Sequence, residues 1–198
     1  LVYHNGEILM MDHSAKPTED CMFSDPMKTG VLKLHNTASW GSVKKGGGIA
    51  VYNLTDGIQD FSFRPADIPQ LEESDNYWVY DYFAKNAFSL GKQESYESRL
   101  DLGGFGWFVL LPKGKYGTCL GLLDKFVGLT AVESIFENDS TQTVVVKESG
   151  TLGWLSEKEP QKVMVNSVDV TSSVKKNDFL YEITLPEGPH KTVLSFVW

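Results

Sequence analysis

Apolar residues fall at alternate positions in short runs along most of this chain, and Gly, Asn, Asp or Lys break the runs apart. A two-residue period of that kind belongs to strands with one buried face. The clearest runs cover residues 49–54, 77–83, 107–111, 130–136, 142–147, 162–165, 180–185 and 192–198. No long segment carries the 3.6-residue period of an amphipathic helix. His4-Asn5-Gly6-Glu7 is the strongest hairpin signal, because Asn-Gly accepts the positive φ angles of a type I′ turn. Lys113-Gly114-Lys115, Glu148-Ser149-Gly150 and Pro186-Glu187-Gly188-Pro189 predict further tight turns. Lys44-Lys45-Gly46-Gly47-Gly48 reads as a flexible hairpin loop, and residues 66–75, with Pro69 and several acids, as a surface loop. Short strands without helical crossovers predict an all-β fold, an antiparallel β-sandwich of Greek-key type.

Composition narrows the function classes. At 198 residues the chain is long enough for one well-made core without metal or disulfide staples, and 41% hydrophobic with 22% charged residues is ordinary for a globular protein. Eighteen basic against 26 acidic residues give a net charge of −8, which disfavours nucleic acid as a partner. A neutral ligand such as a sugar suits that balance. No run approaches the ~18 apolar residues of a membrane span, so no membrane partner is expected. Cys21 and Cys119 stand alone without metal spacing and read as two buried free thiols. No cofactor and no metal site are expected.

Residues 17–26, Pro-Thr-Glu-Asp-Cys-Met-Phe-Ser-Asp-Pro, lead through Gly30 into Val31-Leu32-Lys33-Leu34-His35-Asn36. This stretch resembles a motif of the raffinose synthase, seed imbibition protein and alkaline α-galactosidase family, relatives of glycoside hydrolase family 36. Residues 1–10, the segment Gly47-Gly48-Ile49-Ala50-Val51-Tyr52-Asn53, and the segments 106–112 and 121–126 fall in the order that family has. The resemblance implies a piece of a larger enzyme. Residues 1–28 would be a remnant of the end of a catalytic barrel with its connecting loop, and residues 29–198 the C-terminal β-sandwich domain. By the same resemblance, Asp20 and Cys21 would face the mouth of the barrel, where Asp20 accepts hydrogen bonds from sugar hydroxyls. Glu19 stands where the plant relatives tend to carry a basic residue.

Retaining glycosidases use two carboxyl groups about 5–5.5 Å apart, and the family's pair sits on barrel strands that this chain would lack. Lys176-Asn177-Asp178 matches a nucleophile pattern but lies in a turn between two short strands, so no catalytic residue is assigned. Among the aromatic residues, Trp78, Trp107 and Trp198 lie in strand runs and read as core, whereas Trp40 and Trp154 have neighbours that suit exposure and are the candidate sugar platforms. The expected function is therefore a non-catalytic domain that braces the catalytic barrel of the parent chain, with galactosides as a further partner and an exposed apolar patch where the barrel packs. The alternative from a different class is an autonomous carbohydrate-binding module using Trp40 and Trp154. A third reading, a small intact enzyme, would rest on Asp20 or Asp178.

Overall fold

The computed structural model describes residues 15–38, 46–188 and 191–198. The expected Asn5-Gly6 hairpin, the family-like segment 1–10 and Trp40 lie outside the described residues. In chain order the strands are β1 Lys16–Pro17, β2 Val31–Ala38, β3 Gly46–Asn53, β4 Gln59–Phe63, β5 Asn76–Asp81, β6 Asn86–Gly91, β7 Tyr96–Leu100, β8 Phe105–Pro112 and β9 Thr118–Leu122. They continue with β10 Val132–Glu137, β11 Thr141–Val146, β12 Thr151–Leu155, β13 Lys162–Val165, β14 Val168–Asp169, β15 Lys175–Asn177, β16 Leu180–Thr184 and β17 Thr192–Val197. Two short helices, α1 Glu19–Phe23 and α2 Pro26–Thr29, separate β1 from β2.

Every strand pair is antiparallel, as the alternation predicts. A six-stranded sheet runs β1-β2-β3-β8-β5-β6, and a two-stranded ribbon pairs β4 with β7. A five-stranded sheet runs β10-β11-β17-β13-β14, and a four-stranded sheet β15-β16-β12-β9. The chain crosses between these last two sheets from β9 to β10, from β11 to β12, from β12 to β13, from β14 to β15 and from β16 to β17, passing repeatedly from one layer to the other as in a Greek-key sandwich. The fold is all-β and sandwich-like.

Two apolar cores follow from the pleat. Ile49, Val51, Val79, Phe108 and Leu110 on one face of the six-stranded sheet pack against Phe61 and Phe63 of the ribbon. The Phe63 ring lies 4.8 Å from that of Phe108 and 5.3 Å from that of Tyr96. On the opposite face Trp78, Tyr80 and Leu111 join the larger core, which fills the space between the four- and five-stranded sheets with Leu152, Trp154, Ile183, Val144, Leu194 and Phe196.

The predicted runs become β3, β5, β8, β10, β11, β13, β16 and β17, with the run at 130–136 opening instead on a 3₁₀ turn, Gly128–Ala131. Strands β9 and β12 escape the alternation because nearly every residue in them is buried, and each contains a glycine, Gly121 and Gly153. The expected loop at 44–48 is corrected over its described part: Gly46, Gly47 and Gly48 are buried in β3. A Cβ on Gly48 would lie 2.1 Å from Cη2 of Trp107, so the indole occupies the space that any other residue would need.

Between β1 and β2 the backbone is set by its own punctuation. Asp25 caps α2 by accepting a hydrogen bond from the Met27 N–H at 3.0 Å, and Pro26 follows at the first helical position. Gly30, at φ +81°, ends the helix in the left-handed conformation and turns the chain into β2.

Candidate functional site

The described end of this punctuated segment meets β2 and the ribbon in one groove. The segment is tied to β2 by Thr18, whose N–H donates to the Lys33 carbonyl at 3.0 Å and whose buried hydroxyl donates to the Asp20 carboxylate. Lys33 is 8% exposed although it is charged. Its ammonium donates to Oδ2 of Asp20 at 2.5 Å and to the Ser62 carbonyl of β4 at 3.0 Å. A lysine buried to that degree needs such partners, because an unpaired charge in an apolar setting is costly. Cys21 completes the link: its sulfur accepts the Lys33 N–H at 3.3 Å and its thiol donates to the Val31 carbonyl at 3.7 Å.

Asp20, Cys21 and Lys33 border a groove of about 730 Å³. Its floor is the outward face of the ribbon, where Asp60 pairs across strands with Arg99 and Ser62 with Glu97. The Arg99 guanidinium and the Asp60 carboxylate form an exposed ion pair at 3.2 Å. Burial pushes the pKa of Asp20 up, but the hydrogen bonds from Lys33 and Thr18, the Lys33 charge and the Cys21 N–H together outweigh it and hold the carboxyl below the usual range. Asp20 is therefore an ionised acceptor whose side chain remains 55% exposed toward solvent.

The structure brings together two of the four residues singled out in the sequence. Asp20 and Cys21 share the groove. Trp154 requires a correction, because it is 0% exposed and cannot present an indole face to a sugar. It stacks on Phe196 across the sandwich at 4.3 Å and donates its Nε1–H to Oε1 of Gln142 at 2.7 Å. The misleading signal was Gly153, which reads as a loop residue but packs under Leu120 and Leu123. Trp40 lies outside the described residues. Trp78 is buried, while Trp107 and Trp198 are half-buried at the margin of the core. The expectation of two buried thiols holds for Cys119, whose pKa burial pushes up to about 12, whereas Cys21 is only half-buried.

Asp178 sits exposed at φ +49° in the turn between β15 and β16, and the neighbouring Lys176 pairs with Glu159 at 2.9 Å. No three His, Cys, Asp or Glu side chains converge among the described residues. No helix among them is long and apolar enough to cross a membrane.

Sequence reasoning missed Lys33, Thr18 and the ribbon floor. A signal for Lys33 was present, since a lysine interrupts the apolar strand Val31-Leu32-Lys33-Leu34 a short distance after an acidic turn. The floor gave none, because Ser62 lies opposite Glu97 only through a register between strands separated by β5 and β6.

No protein-family profile matches the chain. Among curated proteins it matches "Probable galactinol--sucrose galactosyltransferase 1" of Arabidopsis thaliana, with 25% identity over 215 aligned positions. The chain resembles the raffinose synthase family. That match covers 93% of the chain, as the scattered motifs had suggested, and supports a relationship to glycoside hydrolases. The chain spans about 28% of the length of this relative. A solved structure of a candidate α-N-acetylgalactosaminidase from Bacillus halodurans C-125 aligns with 51% of the chain and 20% of its own, with TM-score 0.40 and 14% identity. A likeness at that level carries no functional weight.

Proposed function

We propose that this chain is the C-terminal β-sandwich, with the adjoining end of the barrel, of an α-galactosidase- or raffinose-synthase-like glycoside hydrolase acting on α-galactosides. In this reading residues 1–28 close the catalytic barrel of the parent chain and residues 29–198 brace it. The chain holds the barrel's flank and loops in place and performs no bond cleavage itself. One observation carries the reading: nearly all of this chain aligns with about 28% of a much longer galactosyltransferase-like relative.

The short helices supply physical support. Met22, Phe23 and Met27 are exposed, Phe23 to 81%, close to the proposed junction. Several large apolar side chains held in water on two adjoining short helices suit a surface that packs against more protein.

The test is assembly with the barrel encoded upstream, expressed separately and followed by light scattering and calorimetry. A one-to-one complex weakened about tenfold or more by Phe23→Asp combined with Met27→Asp is the expected result. Turnover of a nitrophenyl α-galactoside by the isolated chain, abolished on changing Asp20 or Asp178, would replace this reading with that of a small enzyme.

A further inference from the structure

One face of the six-stranded sheet turns toward the larger core. Leu34, Ala50 and Trp107 form a cross-strand row on that face, and Gly48, Val109 and Tyr80 form the next. With residues of the segment 122–130 these rows bound a cavity of about 520 Å³, a size that suits a small molecule. Gly48 and Ala50 carry little or no side chain, and the space beside them meets an aromatic wall of Trp107, Phe126 and Tyr82, the last two rings 4.4 Å apart. Val109, Leu122 and Leu129 are buried around it.

The polar side chains around this cavity are already engaged. Oδ1 of Asn36 accepts the Thr37 N–H at 2.7 Å, the Trp107 Nε1–H donates to the Phe126 carbonyl at 2.8 Å, and the Thr130 hydroxyl donates to the Val127 carbonyl at 2.9 Å. Lys125 is paired with Glu148. His35 and Thr37 stand opposite Ile49 and Gly47 on the other face of the sheet, where the Thr37 hydroxyl donates to Oε1 of Gln70 at 3.1 Å. What remains is mainly phenol hydroxyls, and that of Tyr80 is shut off from solvent without a partner. A sugar would bury many hydroxyls here against too few partners, and an ion would meet no charge that is not already paired. A polypeptide strand would find no ladder to join, because β3 and β8 are each paired along both edges. An apolar molecule gives up no hydrogen bonds on entry and leaves water behind. We propose that this cavity binds an uncharged, mainly apolar ring molecule, held between the Trp107–Phe126 wall and the Ala50 floor. The site is separate from the polar groove at Asp20 and from the exposed helices α1 and α2, and it calls on neither the barrel nor a galactoside.

The test is a titration of the whole chain with N-phenyl-1-naphthylamine, an uncharged dye that fluoresces in apolar surroundings. The expected result is saturable one-to-one binding that also shifts the Trp107 indole N–H resonance of the ¹⁵N-labelled chain. Ala50→Leu fills the floor and should weaken binding about tenfold or more, the equivalent of one lost apolar contact. Thr130→Trp narrows the cavity from its exposed rim and should weaken it too, so this second variant decides the matter if Ala50→Leu fails to fold. Phe23→Asp combined with Met27→Asp should leave the binding unchanged, because those residues lie on α1 and α2 and not in the cavity. Millimolar raffinose should not displace the dye, and the anion 1-naphthoate should bind more weakly than its uncharged relative 2-naphthol. The proposal is overturned if the dye shows no saturable binding, if the Phe23 and Met27 changes abolish it, if folded Ala50→Leu and Thr130→Trp chains bind as the wild type does, or if raffinose competes. Because the titration uses no barrel, a flat result leaves the bracing role standing, and failure of barrel assembly leaves this site standing.

Discussion

Two residues carry most of what distinguishes this chain from a generic sandwich. Trp154 ties the two sheets of the sandwich together through its stack on Phe196 and its hydrogen bond to Gln142, whose own Nε2–H donates to the Gly117 carbonyl at 3.1 Å. Trp154→Ala should cost about 3–5 kcal/mol in chemical denaturation, because it opens a cavity and strands the Gln142 acceptor. A loss below about 1 kcal/mol would show that the indole is not the keystone described. Asp20 sets a pH dependence whose sign is fixed by its lowered carboxyl. A depressed folded-state pKa contributes stability that is present above the unfolded value, about 3.9, and is lost as pH falls through the folded value. Asp20→Asn should therefore flatten the acid limb of the stability curve below about pH 4, while changing it little at neutral pH beyond a constant offset. An unaltered acid limb in urea titrations at stepped pH would contradict the Asp20–Lys33 link.

At the level of elements, the glycine run of β3 looks like a hinge and works as a packing surface. Gly48 lets the Trp107 indole lie directly over the strand, where Nε1–H donates to the Phe126 carbonyl at 2.8 Å, and Gly47 leaves room for Leu71 instead. Gly48→Ala should destabilise the chain by about 1–3 kcal/mol through overpacking, measurable by thermal unfolding, and should broaden or shift the Trp107 indole resonance. A flexible loop at this position would tolerate the change without cost. The turn chemistry of Ser24-Asp25-Pro26 and Gly30 was legible beforehand in principle, since a cap, a proline and a terminal glycine occur in helical order. The 3.6-residue pattern gave no warning of these helices because each covers little more than one turn.

For the whole molecule, the link between the N-terminal segment and β2 combines the Asp20–Lys33 pair, the Cys21 and Thr18 hydrogen bonds to β2 and the short β1–β2 pairing. Asp20→Ala would leave Lys33 buried without its carboxylate while the covering segment stays in place, and stability at neutral pH should fall by about 1–3 kcal/mol in urea unfolding. Adding Lys33→Met to that variant should restore much of the loss, and failure to rescue would place the cost elsewhere. The alternating runs determined the strands, the antiparallel pairing and the fold class, because a period of two is a local property that any half-buried strand must show. The ordered motifs, from the Asp20–Cys21 turn through Gly47–Asn53 to the segment at 121–126, carried the family resemblance. Only the tertiary structure decided that Trp154 is inside, that Gly48 lies beneath an indole, and that Lys33, Asp20 and Glu97 share one groove. Each of these rests on contacts between residues far apart in the chain, and such contacts are fixed by which sheet faces which, a choice that no local period encodes.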